Sequence, residues 1–408
     1  MICRNCSSRV ELELINLGSA PLSNAYLTEI TMRRPEKWFP LRVAVCEKCW
    51  LVQAEVYSRS AEIFSEDYAY FSSFSLDWLE HARQLCEQMT QRLSIDDKSF
   101  VVEIGSNDGY LLRNFVAAGV RVLGIEPTAS TASAARLLGI PTLEKFFDAA
   151  VSDEVVEKYG AANLIVAINV FAHVPYPLEV LRGVRHLLAS DGIFSVEFPH
   201  IMTLIESCEF DTIYHEHFSY FSFTTVEQMM RDSGLIVVEV EELPTHGGSL
   251  RVMAMRSDSK EAEVHSSVHA LLEKELEVGV RTRSYYELFQ SEAVQIKNEF
   301  LKFLITQKAE GKVVVGYGAA AKGNTLLNFA GVKEDLLKFV VDKNPNKVGK
   351  FLPGSRIPIV REDVLREVQP DVVVILPWNL TAEIESQLAY TREWGARFAV
   401  AVPEMRMW

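Results

Sequence analysis

Three groups of residues stand out for the chemistry that their types and spacing allow. Cys3 and Cys6 form one C-x-x-C pair, and Cys46 and Cys49 form a second. Each pair is short enough to turn both sulfurs toward one ion, and four thiolates in a tetrahedron suit zinc. A catalytic zinc keeps an open coordination position. Four cysteines leave none, so the expectation is a structural zinc ahead of a redox pair. Cys86 and Cys208 stand alone and read as small apolar residues. The second group, Tyr214-His215-Glu216-His217-Phe218-Ser219-Tyr220, is the densest titratable cluster in the chain. It lacks the H-E-x-x-H spacing that sets two ligands on one helix face. Imidazole titrates near neutral pH, so general-base work, with Glu216 orienting a ring, fits better than metal ligation. His173, in AINVFAHVPY, follows a predicted strand and reaches the same sheet edge. The plain alternative is a core histidine satisfied by hydrogen bonds.

Glycine-rich turns make the third group. Glu103, Gly105, Ser106, Asn107, Asp108 and Gly109 close the strand VVEI and open a helix. A dinucleotide fold calls for G-x-G-x-x-G here; this turn reads E-x-G-x-x-x-G and carries acids. It resembles the cofactor loop of class I S-adenosylmethionine methyltransferases, which bind a cationic sulfonium instead of phosphates. Glu126 ends the next strand, where a carboxylate accepts both ribose hydroxyls. Phe146 and Phe147 are candidates to flank an adenine, and Asn169 lies at the tip of the strand NLIVAINVF, near the expected methyl. A second turn, Val313 to Asn324, carries Gly316, Gly318 and Lys322, a pattern suited to a phosphate at a helix N-terminus. A lone G-x-G also occurs in Rossmann-like domains used only for packing. Asp342, Lys343 and Lys347 are nearby candidates, although such charges usually face solvent, and His246 with Gly247 and Gly248 forms a turn lining the same cleft.

These groups need elements to position them. Phe39–Val45 and 51–56 read as strands, and an aromatic run from Asp67 to Ser75 precedes a helix from Leu76 to Leu93. From Ser99 short apolar strands alternate with helices, at 110–118, 130–138 and 177–189, the mark of βαβ units in a parallel sheet. The segments 236–242 and 249–256 read as late antiparallel strands. Residues 258–310 form a helical connection, and the alternation restarts at Lys312. The expected fold class is α/β: a class I methyltransferase Rossmann-like central domain at 71–257, an N-terminal zinc-binding domain at 1–70, and a C-terminal Rossmann-like substrate-binding domain at 311–408.

Composition sets outer bounds. With 408 residues, 48 % hydrophobic and 24 % charged, the chain has room for several buried cores. Its net charge of −14 argues against general nucleic-acid binding. No run approaches the ~18 apolar residues of a membrane span, and MICRNCSSRV has no signal-peptide h-region. The expectation is a soluble cytoplasmic protein with no nucleic-acid or membrane partner.

YHEHFSYFS, DYAYFSSFS, the cysteine knuckles, PTHGGSLRV, GYGAAAKGNTLLN and DKNPNKVGK together closely resemble the sugar C-methyltransferases of deoxysugar biosynthesis. The resemblance covers essentially the whole chain. It implies S-adenosylmethionine-dependent methylation at C3 of a nucleotide-linked 4-keto-6-deoxyhexose, through an enolate. Carried over by motif, it makes His217 the base with Tyr214 and Glu216 beside it, and His173 with Tyr68 or Tyr70 the enolate stabilisers. It sets the nucleotide-sugar between the central and C-terminal domains, near His246, Gly316, Gly318, Lys322 and Asn324. His215 occupies a variable position and has no assigned role. Two rivals remain at this level: a methyltransferase of the same fold acting on another small natural product, and a non-catalytic scaffold.

Overall fold

A computed structural model describes residues 1–57 and 71–408. Tyr68 and Tyr70 lie outside the described residues. Strands β1 (Leu12–Ala20), β2 (Phe39–Val45) and β3 (Val52–Ala54) form an antiparallel N-terminal sheet. Register shifts between Glu13 and Ile15 and between Asn16 and Ser19 break the period-2 pattern of β1, so its alternation is hard to see in the sequence.

The central unit alternates α1 (Leu76–Leu93), β4 (Phe100–Ile104), α2 (Leu112–Ala117), β5 (Arg121–Ile125) and α3 (Ala129–Leu137). It continues through β6 (Thr142–Leu143), α4 (Ala149–Tyr159), β7 (Ala162–Ile168), α5 (Pro177–Leu187) and β8 (Leu188–Pro199). Then come α6 (Ile201–Glu206), β9 (Ser219–Tyr220), α7 (Phe223–Asp232), β10 (Leu235–Leu243) and β11 (Ser249–Arg256). The sheet order is β10-β11-β8-β7-β4-β5-β6, parallel from β8 to β6, with β11 and β10 antiparallel. β4 is buried at every residue, as expected of a parallel strand covered on both faces. The order reverses between β4 and β7, and such a switch point opens a crevice at the carboxyl ends of the strands. Strand β9 leaves this unit and completes the N-terminal sheet, Tyr220 opposite Val52.

Two helices, α8 (Ser266–Val278) and α9 (Phe289–Ala309), lead to the C-terminal sheet. Its elements are β12 (Val314–Tyr317), α10 (Ala321–Ala330), β13 (Val340–Val341), β14 (Ile359–Val360), α11 (Val364–Val368) and β15 (Val372–Ile375). They are followed by α12 (Thr381–Gln387), β16 (Arg397–Val400) and β17 (Arg406–Met407), in the order β14-β13-β12-β15-β16-β17. This is the doubly wound Rossmann order with an antiparallel last strand. No described helix is long and apolar enough to cross a membrane.

Helix α2 begins two residues after the expected Tyr110, because Tyr110 and Leu111 still belong to the glycine turn. Helix α5 ends at Leu187, because the chain enters β8 at once. The sequence pattern does not mark α4, α6, α7, α11 or α12, nor β1, β16 and the two-residue strands β6, β9, β14 and β17.

The helical connection also carries a structural device. Glu275 of α8 is fully buried and accepts from His200 Nε2 at 2.6 Å and from the amides of Phe223 and Thr224 at 2.6 and 2.7 Å, capping α7. Removing it strands an imidazole and two amides away from water. We expect Glu275→Ala to cost about 3 kcal/mol, read as a lower denaturation midpoint at unchanged slope.

Candidate active site

A cavity of about 600 Å³ opens where the carboxyl edges of two sheets face each other. The central unit contributes Gly105 after β4, Glu126 after β5, Asn169 after β7 and Pro199 at the end of β8. The C-terminal unit contributes Ala320, Ala321 and Lys322 after β12, and Pro377 and Asn379 after β15. Both switch points therefore look into one space.

On the central side, Asn107, Phe146 and Phe147 join Gly105, Glu126 and Asn169 in the wall. Gly105 has φ +67°, and a Cβ there would stand 2.3 Å from Val170 Cγ2, so the turn tolerates only glycine. Glu126 accepts the Asn107 amide on one oxygen and the Thr128 amide on the other, both at 2.9 Å, which fixes its carboxyl in the cavity wall. Four residues of the expected cofactor set do not reach the cavity. Ser106 is fully buried against Gly124; Gly109 is packed on Ile140; Asp108 accepts the Ser73 amide; and Glu103 is sealed below the turn. Burial, with Asp108 and Glu126 nearby, pushes the Glu103 carboxyl well above the usual carboxylate range. Of these acids only Glu126 lines the cavity, and a carboxyl in place of a phosphate-binding amide or base suits S-adenosylmethionine better than a diphosphate.

The aromatic–imidazole cluster forms the floor. Tyr214, His217 and His173 line the cavity, with ring centroids 4.0 Å apart for Tyr214–His217 and 4.8 Å for His173–His217. His217 Nδ1–H donates to the Thr212 carbonyl at 3.0 Å, and His173 Nδ1–H donates to the Glu216 carbonyl at 2.8 Å. A carbonyl only accepts, so in both neutral rings Nε2 carries the lone pair. Burial holds His217 well below its usual pKa and His173 down at about 4, so both are neutral near pH 7. Two expectations are thereby corrected. Glu216 orients His173 through its backbone, whereas its carboxyl accepts from Asn24 Nδ2 at 3.3 Å and bonds no imidazole; His217 is oriented by Thr212. His173, a lone-pair group at Nε2, is not equipped to donate a proton to an enolate oxygen.

Of the expected substrate residues, His246 and Lys322 line the cavity. The other three do not. Gly316 lies inside β12, where Val340 and Leu337 close over it. Gly318 is pressed on Pro377, and Asn324 ties α10 to the N-terminal unit by donating to the Ser23 carbonyl at 2.6 Å. His215 faces the carbonyls of Phe39 and Pro40. Sequence reasoning missed Asn24, which enters the cavity wall from the N-terminal unit, and Trp78 of α1. Trp78 stacks on His81 at 4.9 Å, and His81 in turn pairs with buried Glu197 at 2.7 Å. Neither Asn24 nor Trp78 sits in a recognisable motif.

The cysteine set lies behind the floor. All four Sγ atoms fall within 4.8 Å of one another, with Cys3–Cys49 and Cys6–Cys46 at 3.5 Å. Zinc–sulfur bonds of about 2.3 Å give a tetrahedron with edges of about 3.8 Å, so the set fits zinc. Arg4, between the first two cysteines, donates to the carbonyls of Phe218 and Ala54. The metal knuckle therefore grips the residue next to His217.

Two outcomes are expected. Metal analysis gives one zinc per chain, and stripping it with a chelator lowers Tm and activity together, because Arg4 loses its anchor; activity unchanged in the stripped protein would break that coupling. Burial pushes the Glu216 carboxyl up to about 7. Between its ordinary 4.5 and about 7 the folded chain holds a proton that the unfolded chain has lost, so this group's contribution falls as pH rises through that window. The Tm of Glu216→Gln should therefore gain on the parent between pH 5 and pH 8; a constant offset would contradict it.

Family models match in chain order: a zinc binding domain at 3–64, a methyltransferase domain at 78–240 and a C-methyltransferase C-terminal domain at 244–403. Magnesium protoporphyrin IX methyltransferase of Synechocystis PCC 6803, solved with bound SAH, aligns with 13 % identity over 44 % of this chain and 83 % of its own, at TM-score 0.35. A ubiquinone biosynthesis O-methyltransferase of Vibrio parahaemolyticus is 26 % identical over 94 residues, 22 % of this chain and 40 % of that protein. C-methyltransferase NovU of Streptomyces niveus is 36 % identical over 405 residues, 99 % of this chain and 96 % of that protein. A match of that depth along both full lengths shows that the chain belongs to the C-methyltransferase family.

Proposed function

We propose that the protein methylates C3 of a nucleotide-linked 4-keto-6-deoxy sugar in the cytoplasm, by way of an enolate. The observation that carries the reading is the His217 ring: neutral, oriented by Thr212 through Nδ1 so that Nε2 keeps the lone pair, and lining the cavity shared by the two sheet edges. A ketone at C4 acidifies the proton on C3, which makes an imidazole an adequate base. S-adenosylmethionine, when bound, supplies the electrophilic methyl group. Glu126, Asn107, Phe146, Phe147 and Asn169 would hold it against the central sheet. Tyr214 packs on the His217 ring and fixes its plane. The C-terminal wall, with Lys347 and Asn379, supplies donors for the nucleotide-sugar. Bringing both ligands into one enclosed space is the larger part of the catalytic task, since alignment of reacting atoms lowers the barrier by several kcal/mol.

The test uses heavy water and a panel of nucleotide-linked 4-keto-6-deoxyhexoses, with and without S-adenosylmethionine. Deuterium entry at C3, followed by NMR, and methyl gain, followed by mass spectrometry, are both expected. His217→Asn should lose exchange and methylation by at least about 100-fold. Full exchange in that variant moves the base elsewhere. Cofactor binding with no exchange on any sugar moves the substrate to another natural product.

A further inference from the structure

Removing the C3 proton leaves negative charge on the C4 oxygen, and His173 and His217 in the cavity floor offer it lone pairs instead of protons. A donor must come from another residue. Three lysines line the cavity. Lys145 sits half-exposed at the mouth, paired with Glu154 at 2.6 Å. Lys347 is tied to the Ala319 carbonyl at 2.9 Å, with Asp342 at 3.7 Å. Lys322 is placed differently. It opens α10, donates to Asn379 Oδ1 at 2.6 Å and lies 4.3 Å from the centroid of the Trp378 ring.

Behind Lys322 stand two buried acids, Glu209 and Asp211, both on the segment leading into the Tyr214–Tyr220 cluster. Trp378 Nε1 donates to Asp211 Oδ2 at 2.9 Å, so the ring under the ammonium also fixes one of its counter-charges. Glu209 packs against Gly247, where a Cβ would stand 2.4 Å from its Oε1. Neither acid comes within ion-pair contact of Lys322 among the described salt bridges, so they act on it through space. Thr325 Oγ1 donates to the Ile213 carbonyl at 2.8 Å and locks α10 to the loop that carries His217. The charge of Lys322 also bears on His217 and His246, helping to keep both imidazoles neutral. Burial lowers the Lys322 pKa, and Asp211 and Glu209 oppose that shift.

We propose that Lys322 is a catalytic residue: its ammonium donates a hydrogen bond to the C4 oxygen of the keto-sugar as the enolate forms, with Glu209, Asp211 and Trp378 positioning it. The inference rests on the function proposed above. In the step, the C3–H bond breaks and its proton goes to His217 Nε2. The bonding pair becomes the C3–C4 double bond, and the carbonyl π pair moves onto the C4 oxygen, which Lys322 steadies without giving up its proton. Return of a deuteron from the ring to C3 regenerates the ketone, so the step is observable with no methyl donor.

The experiment measures saturating C3 deuterium exchange without S-adenosylmethionine, together with nucleotide-sugar affinity, for the parent and Lys322→Met. The expected result is a rate about 100-fold lower with affinity within about threefold, and partial recovery of Lys322→Ala by added ethylammonium. Should Lys322→Met lose its fold because Asp211 is left uncompensated, Lys322→Met with Asp211→Asn is measured instead, with the same expectation. An exchange rate retained within about threefold overturns the assignment. So does a loss confined to affinity, which makes Lys322 a binding cation only. No exchange by the parent chain overturns the underlying sugar reading instead, and so separates the two failures.

Discussion

The site depends on a constraint applied from outside the central sheet, the fixing of the segment from Glu209 to Tyr220. This segment has little regular structure of its own: one short 3-10 turn and the two residues of β9. Its ends are held by neighbours. Strand β9 is the edge of the N-terminal sheet, Arg4 grips the Phe218 carbonyl from inside the cysteine knuckle, and Thr325 grips the Ile213 carbonyl from the C-terminal unit. The histidines then take their orientation from backbone carbonyls of the same segment, Thr212 and Glu216. An imidazole bonded to a carbonyl has a defined tautomer, and a defined tautomer has a defined basic nitrogen. The N-terminal metal-binding unit thus helps to hold the cavity floor in place although no cysteine lines the cavity.

The two sheet edges divide the electrostatic work. The central edge places Glu126 in its wall, whereas the opposite wall presents Lys322 and Lys347. A cation fits one side and a group bearing or developing negative charge fits the other. Two Rossmann-type switch points therefore need not mean two separate sites. Here the second has given up the features of an independent dinucleotide site: Asp342, at the end of β13, spends its carboxylate on the Ala319 and Asn344 amides, and Gly318 is covered by Pro377.

Much of this frame is legible in the sequence. Continuous apolar runs mark β4, β5, β7 and β8, and strands 39–45 and 249–256 coincide with their predicted limits. The cysteine spacing and the YHEHFSY segment identify residues that meet in space. The roles within the site are less legible, for a physical reason. A backbone carbonyl has no sequence signature, so Thr212 as the partner of His217 is invisible, and Glu216 looks like the natural partner because its side chain is adjacent. Asn24 reaches Glu216 across 192 positions, a pairing no local pattern encodes. The glycine turn shows the opposite error: all its residues look like ligand contacts, yet Ser106, Asp108 and Gly109 serve the turn's own packing.

Burial reconciles a weak base with a demanding proton transfer. An imidazole held neutral by desolvation is always in its basic form, but it binds the transferred proton less well than one in water. The step is then favourable only if the negative charge left on the substrate is stabilised more strongly than water would stabilise it. A low-dielectric cavity does this when it contains a fixed cation, since Coulomb energies grow as the effective dielectric constant falls. In the proposed reaction, the same burial that weakens His217 as a proton acceptor would strengthen whatever donor faces the oxygen. On the proposed mechanism, a neutral histidine pair and a buried lysine are therefore complementary parts of one design.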